Sequence, residues 1–375
     1  NVVYMKGCDL TEECVVRSFL PQCSAGGKKG IRGTFWNNTS HSGKPAVTEY
    51  YTNPIAVTTN GMHTFAQGVR MEDFSAKYET TFTPQQSCKA VIRMQYTGAF
   101  TLKVNGKTLA SASTWRDQPM RFELDVVKGD KYDVELTYHT VKTWAANMKL
   151  NIGEELPINY AETIEKLKDM ETVIFIGGLS SQLEGEEMPV KIDGFKGGDR
   201  THIELPKVQR AFIRQLKEAG KKVVYVNCSG SAVALTPEAK NSEAIVQVWY
   251  PGQEGGTAVA DVLYGDYNPQ GKLPVTFYRD SKQLPDFEDY SMKGRTYRYF
   301  SDPLFAFGYG LSYTRFEMGD VKSDGKTVTT SLKNIGTREG TEVIQVYVRR
   351  CDDVEGPLKS LKAFKRVTLK PGETK

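Results

Sequence analysis

Apolar and polar positions along the chain fall into three successive patterns. From about residue 26 to 152, short runs alternate apolar with polar residues, and turn residues separate them. "AVIRMQYTGAFTLKVNGKTLASAS" shows this most clearly. Its two alternating runs flank Asn105-Gly106, a pair suited to the positive φ angles of a two-residue hairpin turn. "RFELDVVKGDKYDVELTYHT" repeats the pattern around "KGDK". No helical period intervenes, so the region is expected to be an all-β module, a sandwich or barrel.

Between about 158 and 280 the pattern alternates strands with helices. "AETIEKLKDM" reads as a helix and "ETVIFIGG" as a buried strand. "LPKVQRAFIRQLKEAG" brings Val208, Phe212 and Leu216 near one helical face and stops at Gly220. "KKVVYVNCSG" and "SEAIVQVWY" are further buried strands, and "GGTAVADVLYG" is a further helix. Continuous β-branched runs separated by helices predict a largely parallel sheet, with its ligand crevice at the strands' C-terminal ends. "NVVYMKG" reads as an outer strand of the same sheet, which makes the β module an insertion. Beyond "LFAFGYGLSYTRFE", alternating runs return in "TVTTSLKNIG", "TEVIQVYVRR" and "LKAFKRVTLKPGETK", as in a sandwich that stops before its last strands. A chain that opens on a strand and closes within a sandwich is expected to be truncated at both ends.

Composition narrows the classes. The 375 residues are 39% hydrophobic and 25% charged, with a net charge of +4 and the two signs interspersed. Without a basic block, nucleic acid is not an expected partner. No apolar run nears the ~20 residues of a membrane span. The cysteines (Cys8, Cys14, Cys23, Cys88, Cys228 and Cys351) form no C-x-x-C pair, which argues against structural zinc. Cys8, Cys14 and Cys23 are close enough in sequence for one disulfide, and free thiols are the alternative. His41, His63, His139 and His202 lack metal-like spacing, so neither a metal nor another cofactor is expected.

Few motifs suggest chemistry. "VVYVNCSGSA" has the strand-turn-helix setting of a nucleophile elbow, but Asn227 stands where G-x-S-x-G needs glycine. "FGYGLSY" and "PGQEGGTA" lack the lysine of a phosphate cradle and read as tight turns. "LEGEEM" differs. It sets Glu184, Glu186 and Glu187 past a buried strand, followed by the glycine-rich "GFKGGDRTHIELP" with its Asp199-Arg200 pair. A solvated acidic loop and an active-site loop are both compatible with that placement. In the second case neighbouring carboxylates would raise one pKa, as a general acid near neutral pH requires.

"VIFIGGLSSQLEGEEM…GFKGGDRTHIELP", "VWYPGQEGGTAVADVLYGDYNPQGKLPVTF" and "PLFAFGYGLSYTRFE" resemble the C-terminal half of family 3 glycoside hydrolases. "FSAKYETTFTP" and "FTLKVNGKTLASASTW" resemble the PA14 module that some members insert there, and the tail resembles the family's fibronectin type III-like domain. The resemblance implies an α/β sandwich with a mostly parallel sheet from residues 1–25 and 153–300. It further implies an inserted PA14 β-sandwich or barrel from 26–152 and a truncated fibronectin type III-like β-sandwich from 311–375.

The same resemblance implies a retaining mechanism with two carboxyl groups about 5–5.5 Å apart. The nucleophile would lie on an N-terminal (β/α)8 barrel that this chain does not contain. The acid/base would lie on the loop matching "LEGEEM", which makes Glu186 the acid/base candidate, Glu187 the next and Glu184 the last. The chain alone is then not expected to turn over substrate, and its missing partner is the barrel. "PDFEDYSMKGRTYRYF" looks like the β-xylosidase-type members, which favours release of β-linked xylose from non-reducing ends of oligosaccharides. A β-glucosidase is the alternative within the family, and a non-catalytic carbohydrate-binding or structural protein is the alternative outside it. A periplasmic or secreted location is implied by resemblance only. Trp36, Trp115 and Trp144 of the β module would stack on a pyranose or pack in its core.

Overall fold

The computed structural model describes every residue except Asn1, Gln182, Glu186, Glu187, Met188 and Pro189. Two compact units divide the chain. One is built from Glu12–Asn159; the other holds the residues up to Thr11 together with the chain from Tyr160 to Lys375.

The first unit is an antiparallel sheet of eleven strands among the described residues. Its spine is the hairpin of Cys88–Val104 and Lys107–Val126, turned at Asn105 and Gly106 with φ of 50° and 75°. The Asn-Gly pair therefore does what the sequence predicts. The second predicted hairpin forms its turn but not its pairing. Tyr132–His139 pairs with Ser75–Phe82 and with the Ala99–Val104 end of the spine, not with its sequence neighbour. Val134, Leu136 and Tyr138 alternate inward on that strand and join a core lined by Phe74, Phe100 and Leu102. Lys107–Val126 offers no comparable buried face.

Tyr138 shows how tightly this core is specified. Its ring stacks on Phe65 at 5.5 Å, and its hydroxyl donates to the Thr97 carbonyl at 2.6 Å. Gly98, with φ of 140°, lies so close that a Cβ would sit 2.4 Å from the Tyr138 ring. Chain crossover into the unit occurs at Glu12, earlier than the expected residue 26, because Cys14–Ser18 pairs antiparallel with Asn147–Pro157. Cys14 faces Pro157 in that ladder, so the unit begins and ends side by side.

In the second unit, Thr172–Gly178, Lys222–Cys228 and Ala244–Gln247 form a parallel sheet in sequence order. Helix Lys207–Glu218 covers one face, burying Val208, Phe212, Ile213 and Leu216, and Phe212 meets Phe175 edge-on at 5.4 Å. Buried Gln209 fastens the end of the first strand. It accepts from the Gly178 amide at 2.7 Å and donates to the Gly178 and Leu10 carbonyls, both at 2.8 Å. The expected outer strand at "NVVYMKG" does not form: the described residues 2–8 pair with no strand. Met5 and Cys8 pack against the α/β core, while Val2, Val3 and Tyr4 are exposed.

The C-terminal strands include the hairpin Gly340–Val348 with Ser360–Leu369. Asn268 ties this region to the α/β part. It donates to the Glu339 carbonyl at 3.0 Å and accepts from Ser312 Oγ at 3.0 Å and the Tyr313 amide at 2.7 Å. Lys272 adds an ion pair to Glu342 at 2.8 Å. "FGYGLSY" thus serves as a joint, in keeping with its reading as a turn. All six cysteines are free thiols.

An ion-pair cluster closes the β unit near its ends. Glu155 accepts from Arg121 Nε at 3.2 Å and Arg93 Nε at 2.8 Å. The Arg121 hydrogen bond, supported by Arg93, outweighs burial and holds the Glu155 carboxyl down at about 2, against an ordinary 4.5. A carboxyl depressed on folding contributes stability above its unfolded pKa and loses it as pH falls towards the folded value. Glu155→Gln is therefore expected to lower the melting temperature at pH 7. Melting curves across pH should show the gap to wild type closing between about 4.5 and about 2; a gap independent of pH would contradict the assignment.

Candidate active site

Three parallel strands end level with one another, since Gly177 pairs with Asn227 and Asn227 with Gln247. The loops that follow converge, as is general at the carboxyl ends of open α/β sheets. Each contributes one polar side chain: Glu184 after the first strand, Ser231 after the second and Tyr250 after the third.

Glu184 is held by both others. Tyr250 Oη donates a short hydrogen bond to Glu184 Oε2, and Ser231 Oγ lies 3.4 Å from Oε1. Burial, then the Glu184 hydrogen bond, raises the Tyr250 phenol above its ordinary range, so it remains a donor. Behind them lies Arg200, whose Nη1 donates to Ser231 Oγ and the Ala232 carbonyl and Nη2 to the Glu204 carbonyl, each at 3.3 Å. Burial lowers the Arg200 pKa, while Glu184, Glu204 and Tyr250 pull the other way. Glu204 accepts from Ser281 through its amide at 2.9 Å and its hydroxyl at 2.6 Å. Burial would raise the Glu204 carboxyl, but those bonds prevail and keep it below the usual range.

The acidic loop is also fixed by its backbone. Gly198, with φ of 92°, sits in the turn between Phe195–Lys196 and Asp199–Arg200. A Cβ there would lie 1.8 Å from the Gly185 carbonyl oxygen. Only glycine permits that approach at 198, whereas a Cβ at Gly197, with φ of 65°, would meet nothing within 4 Å. Of the Asp199-Arg200 pair, Arg200 is the anchor and Asp199 is exposed.

The sequence-derived candidates Glu186 and Glu187 lie outside the described residues. Glu184 is described and already engaged. Ser231 and Tyr250 were not singled out by sequence reasoning, although each closely follows a parallel strand's C-terminal end. Ser229, the residue at the elbow-like motif, is buried in an amide network with Asn227 and Gln247, and its hydroxyl donates to the Ser231 carbonyl at 2.9 Å. His202 Nδ1 stands 3.2 Å from Glu204 Oε2, away from Ser229's partners. Trp36 is half-buried against His41, whereas Trp115 and Trp144 are 55% and 99% exposed.

Residues 42–313 match the Glycosyl hydrolase family 3 C-terminal domain, and residues 342–375 match a Fibronectin type III-like domain. The chain belongs to glycosyl hydrolase family 3. It is 58% identical over 382 aligned residues to a "Xylan 1,4-beta-xylosidase" of Xylanibacter ruminicola, covering 100% of this chain and 44% of that protein. A "Periplasmic beta-glucosidase" of Salmonella typhimurium is 39% identical over 236 residues, covering 57% of this chain and 30% of its own. Among solved structures, the beta-glucosidase of Kluyveromyces marxianus in complex with glucose aligns with a TM-score of 0.61 at 25% identity, over 100% of this chain and 48% of that one. The chain thus spans less than half the length of these relatives.

Gly198→Ala is expected to dislodge the acidic loop while leaving the sheet intact. Hydrogen exchange should accelerate in peptides covering 183–190 and stay unchanged in 222–228; unchanged exchange in both would refute the pinning role.

Proposed function

We propose that this chain supplies the acid/base half of a retaining, exo-acting glycoside hydrolase that releases β-linked xylose from non-reducing ends of oligosaccharides. Glu186 protonates the glycosidic oxygen as the bond to the anomeric carbon breaks. It then takes a proton from the water that hydrolyses the glycosyl-enzyme intermediate. Glu187 is the next candidate. The nucleophilic carboxylate comes from an N-terminal barrel outside these residues, and the β unit is the inserted PA14-type module.

The observation carrying the reading is the tethering of the loop just before Glu186. Glu184 is occupied by Tyr250 and Ser231, and Gly185 rests on Gly198. An acid/base must be positioned within hydrogen-bond reach of the atom it serves, and a loop pinned on its N-terminal side at the strand ends meets that need. Xylose is favoured by 58% identity, across the whole chain, to a protein described as a xylan 1,4-β-xylosidase. The β-glucosidases among the relatives make glucosidase activity the second reading. A further domain is supported by the bare face of the sheet. Parallel sheets are normally covered on both faces, yet Ile174 and Ile176 are 42% and 64% exposed and helix Gly255–Tyr264 buries no residue.

In the full-length enzyme, Glu186→Gln is expected to cut kcat/KM for xylosides with poor leaving groups by about 10²–10⁴-fold. Activated dinitrophenyl xylosides, which need no acid, should lose far less, and the basic limb of the pH profile should disappear. Equal activity of Glu186→Gln and wild type on a poor leaving group would transfer the role elsewhere, Glu187→Gln being the comparison. The ratio of nitrophenyl xyloside to glucoside turnover separates the two substrate readings.

A further inference from the structure

We infer that His202 is a positioning residue, a ring gripped between two carboxylates that holds the C-terminal side of the acidic loop in place. The role in catalysis rests on the acid/base reading; the grip itself rests on the geometry of Asp193, His202 and Glu204.

The acidic loop leads into a small antiparallel sheet. Lys191–Ile192 pairs with Phe195–Lys196, which pairs in turn with Asp199–Arg200. The Gly197 amide donates to the Val190 carbonyl at 2.8 Å, so the sheet takes up the chain directly after the loop. Phe195 is buried in the α/β core and Val190 packs against it. The tip of the first hairpin is Asp193-Gly194, where Gly194 has a φ of 88°. Glu184 and Gly185 tether one side of the loop, and this hairpin fixes the other only if it is itself held.

His202 supplies the hold. Its ring lies against Gly194, where a Cβ would sit 2.9 Å from the ring's Cε1. The adjacent Thr201 amide donates to the Gly194 carbonyl at 2.9 Å. The two ring nitrogens face different carboxylates: Nδ1 is 3.2 Å from Glu204 Oε2, and Nε2 is 4.0 Å from Asp193 Oδ2. Asp193 belongs to the hairpin, whereas Glu204 is fixed to the body of the unit. The Glu204 carbonyl accepts from Arg200 and its carboxylate from Ser281, whose Oγ also takes the Ile203 amide at 2.9 Å. Lys207 Nζ, from the helix Lys207–Glu218, lies 2.9 Å from the same Asp193 oxygen.

Carboxylates on both nitrogens select one protonation state. A neutral imidazole has one N–H and one lone pair, so it serves one carboxylate and turns a lone pair on the other. The imidazolium donates from both nitrogens and attracts both charges. Both carboxyls are anionic wherever imidazoles titrate. The Lys207 hydrogen bond, with His202 adding to it, holds Asp193 below the usual carboxylate range. Burial would raise Glu204, but its Ser281 bonds keep it below that range too. Histidine charge changes between about pH 5 and 8. The grip therefore tightens as pH falls through that range, the direction that suits a general acid, which must be protonated to act.

The test compares His202→Gln with wild type in the full-length enzyme. On xylosides with poor leaving groups, kcat/KM should fall roughly ten- to a hundredfold near about pH 5.5, the scale of a catalytic group slightly misplaced. The ratio of wild type to variant should shrink as pH rises towards about 8. Activated dinitrophenyl xylosides, which need no acid, should keep nearly all of their kcat/KM. Asp193→Asn should reproduce the loss, and the double variant should lose no more than the larger single loss. Hydrogen exchange at one pH should accelerate in peptides covering 191–197 of His202→Gln and stay unchanged in 222–228. A ratio constant with pH, an equal loss on activated and poor leaving groups, or additive losses in the double variant would overturn the proposal. A fully active Glu186→Gln enzyme would sink the acid/base reading, and the exchange comparison would still decide whether His202 holds the hairpin.

Discussion

A buried amide sets the height at which the candidate site begins. Asn227 has no exposed surface, and an unsatisfied amide in that position would cost on the order of 1–3 kcal/mol. It escapes that cost by accepting from Tyr225 Oη at 2.7 Å and donating to Ser229 Oγ at 3.0 Å and Gln247 Oε1 at 2.6 Å. Its carbonyl also takes the Val248 amide at 3.0 Å. These bonds lock the second and third strands in register and start their loops together. Ser231 and Tyr250 can then meet Glu184 from the first strand, and the backbone contact between Gly185 and Gly198 completes the enclosure. Satisfied polar networks of this kind specify a single arrangement, and a partial one would specify none.

Much of this was legible in the chain. Continuous β-branched runs announced the parallel strands, and Val208, Phe212 and Leu216 announced the buried face of the helix over them. Asn105-Gly106 announced the hairpin. What periodicity could not supply was partnership between distant segments. The turn at Gly129 forms, yet Tyr132–His139 follows its inward Val134, Leu136 and Tyr138 to other strands. "NVVYMKG" has strand composition, but its pairing depends on an edge that no local pattern specifies.

The candidate site divides along the same line. The acidic cluster was visible because three carboxylates past a buried strand are chemically conspicuous. Its ranking in favour of Glu186 came from family resemblance, because spacing alone left a solvated loop equally open. Tyr250 and Ser231 carry no motif, and only strand register makes them neighbours of Glu184. The tryptophans were ambiguous for a related reason. Alternation does not reveal that Trp115 sits in a bulge, where its side chain leaves the pattern of its strand.

On the proposed reading, the tethered acidic loop is one half of a catalytic apparatus whose nucleophile comes from elsewhere in the polypeptide. Azide rescue of Glu186→Ala in the full-length enzyme tests this claim most directly. Azide needs no general base, so it should restore turnover of an activated xyloside and yield β-xylosyl azide, the configuration retained by two displacements. No rescue, or rescue giving the α-azide, would contradict the account.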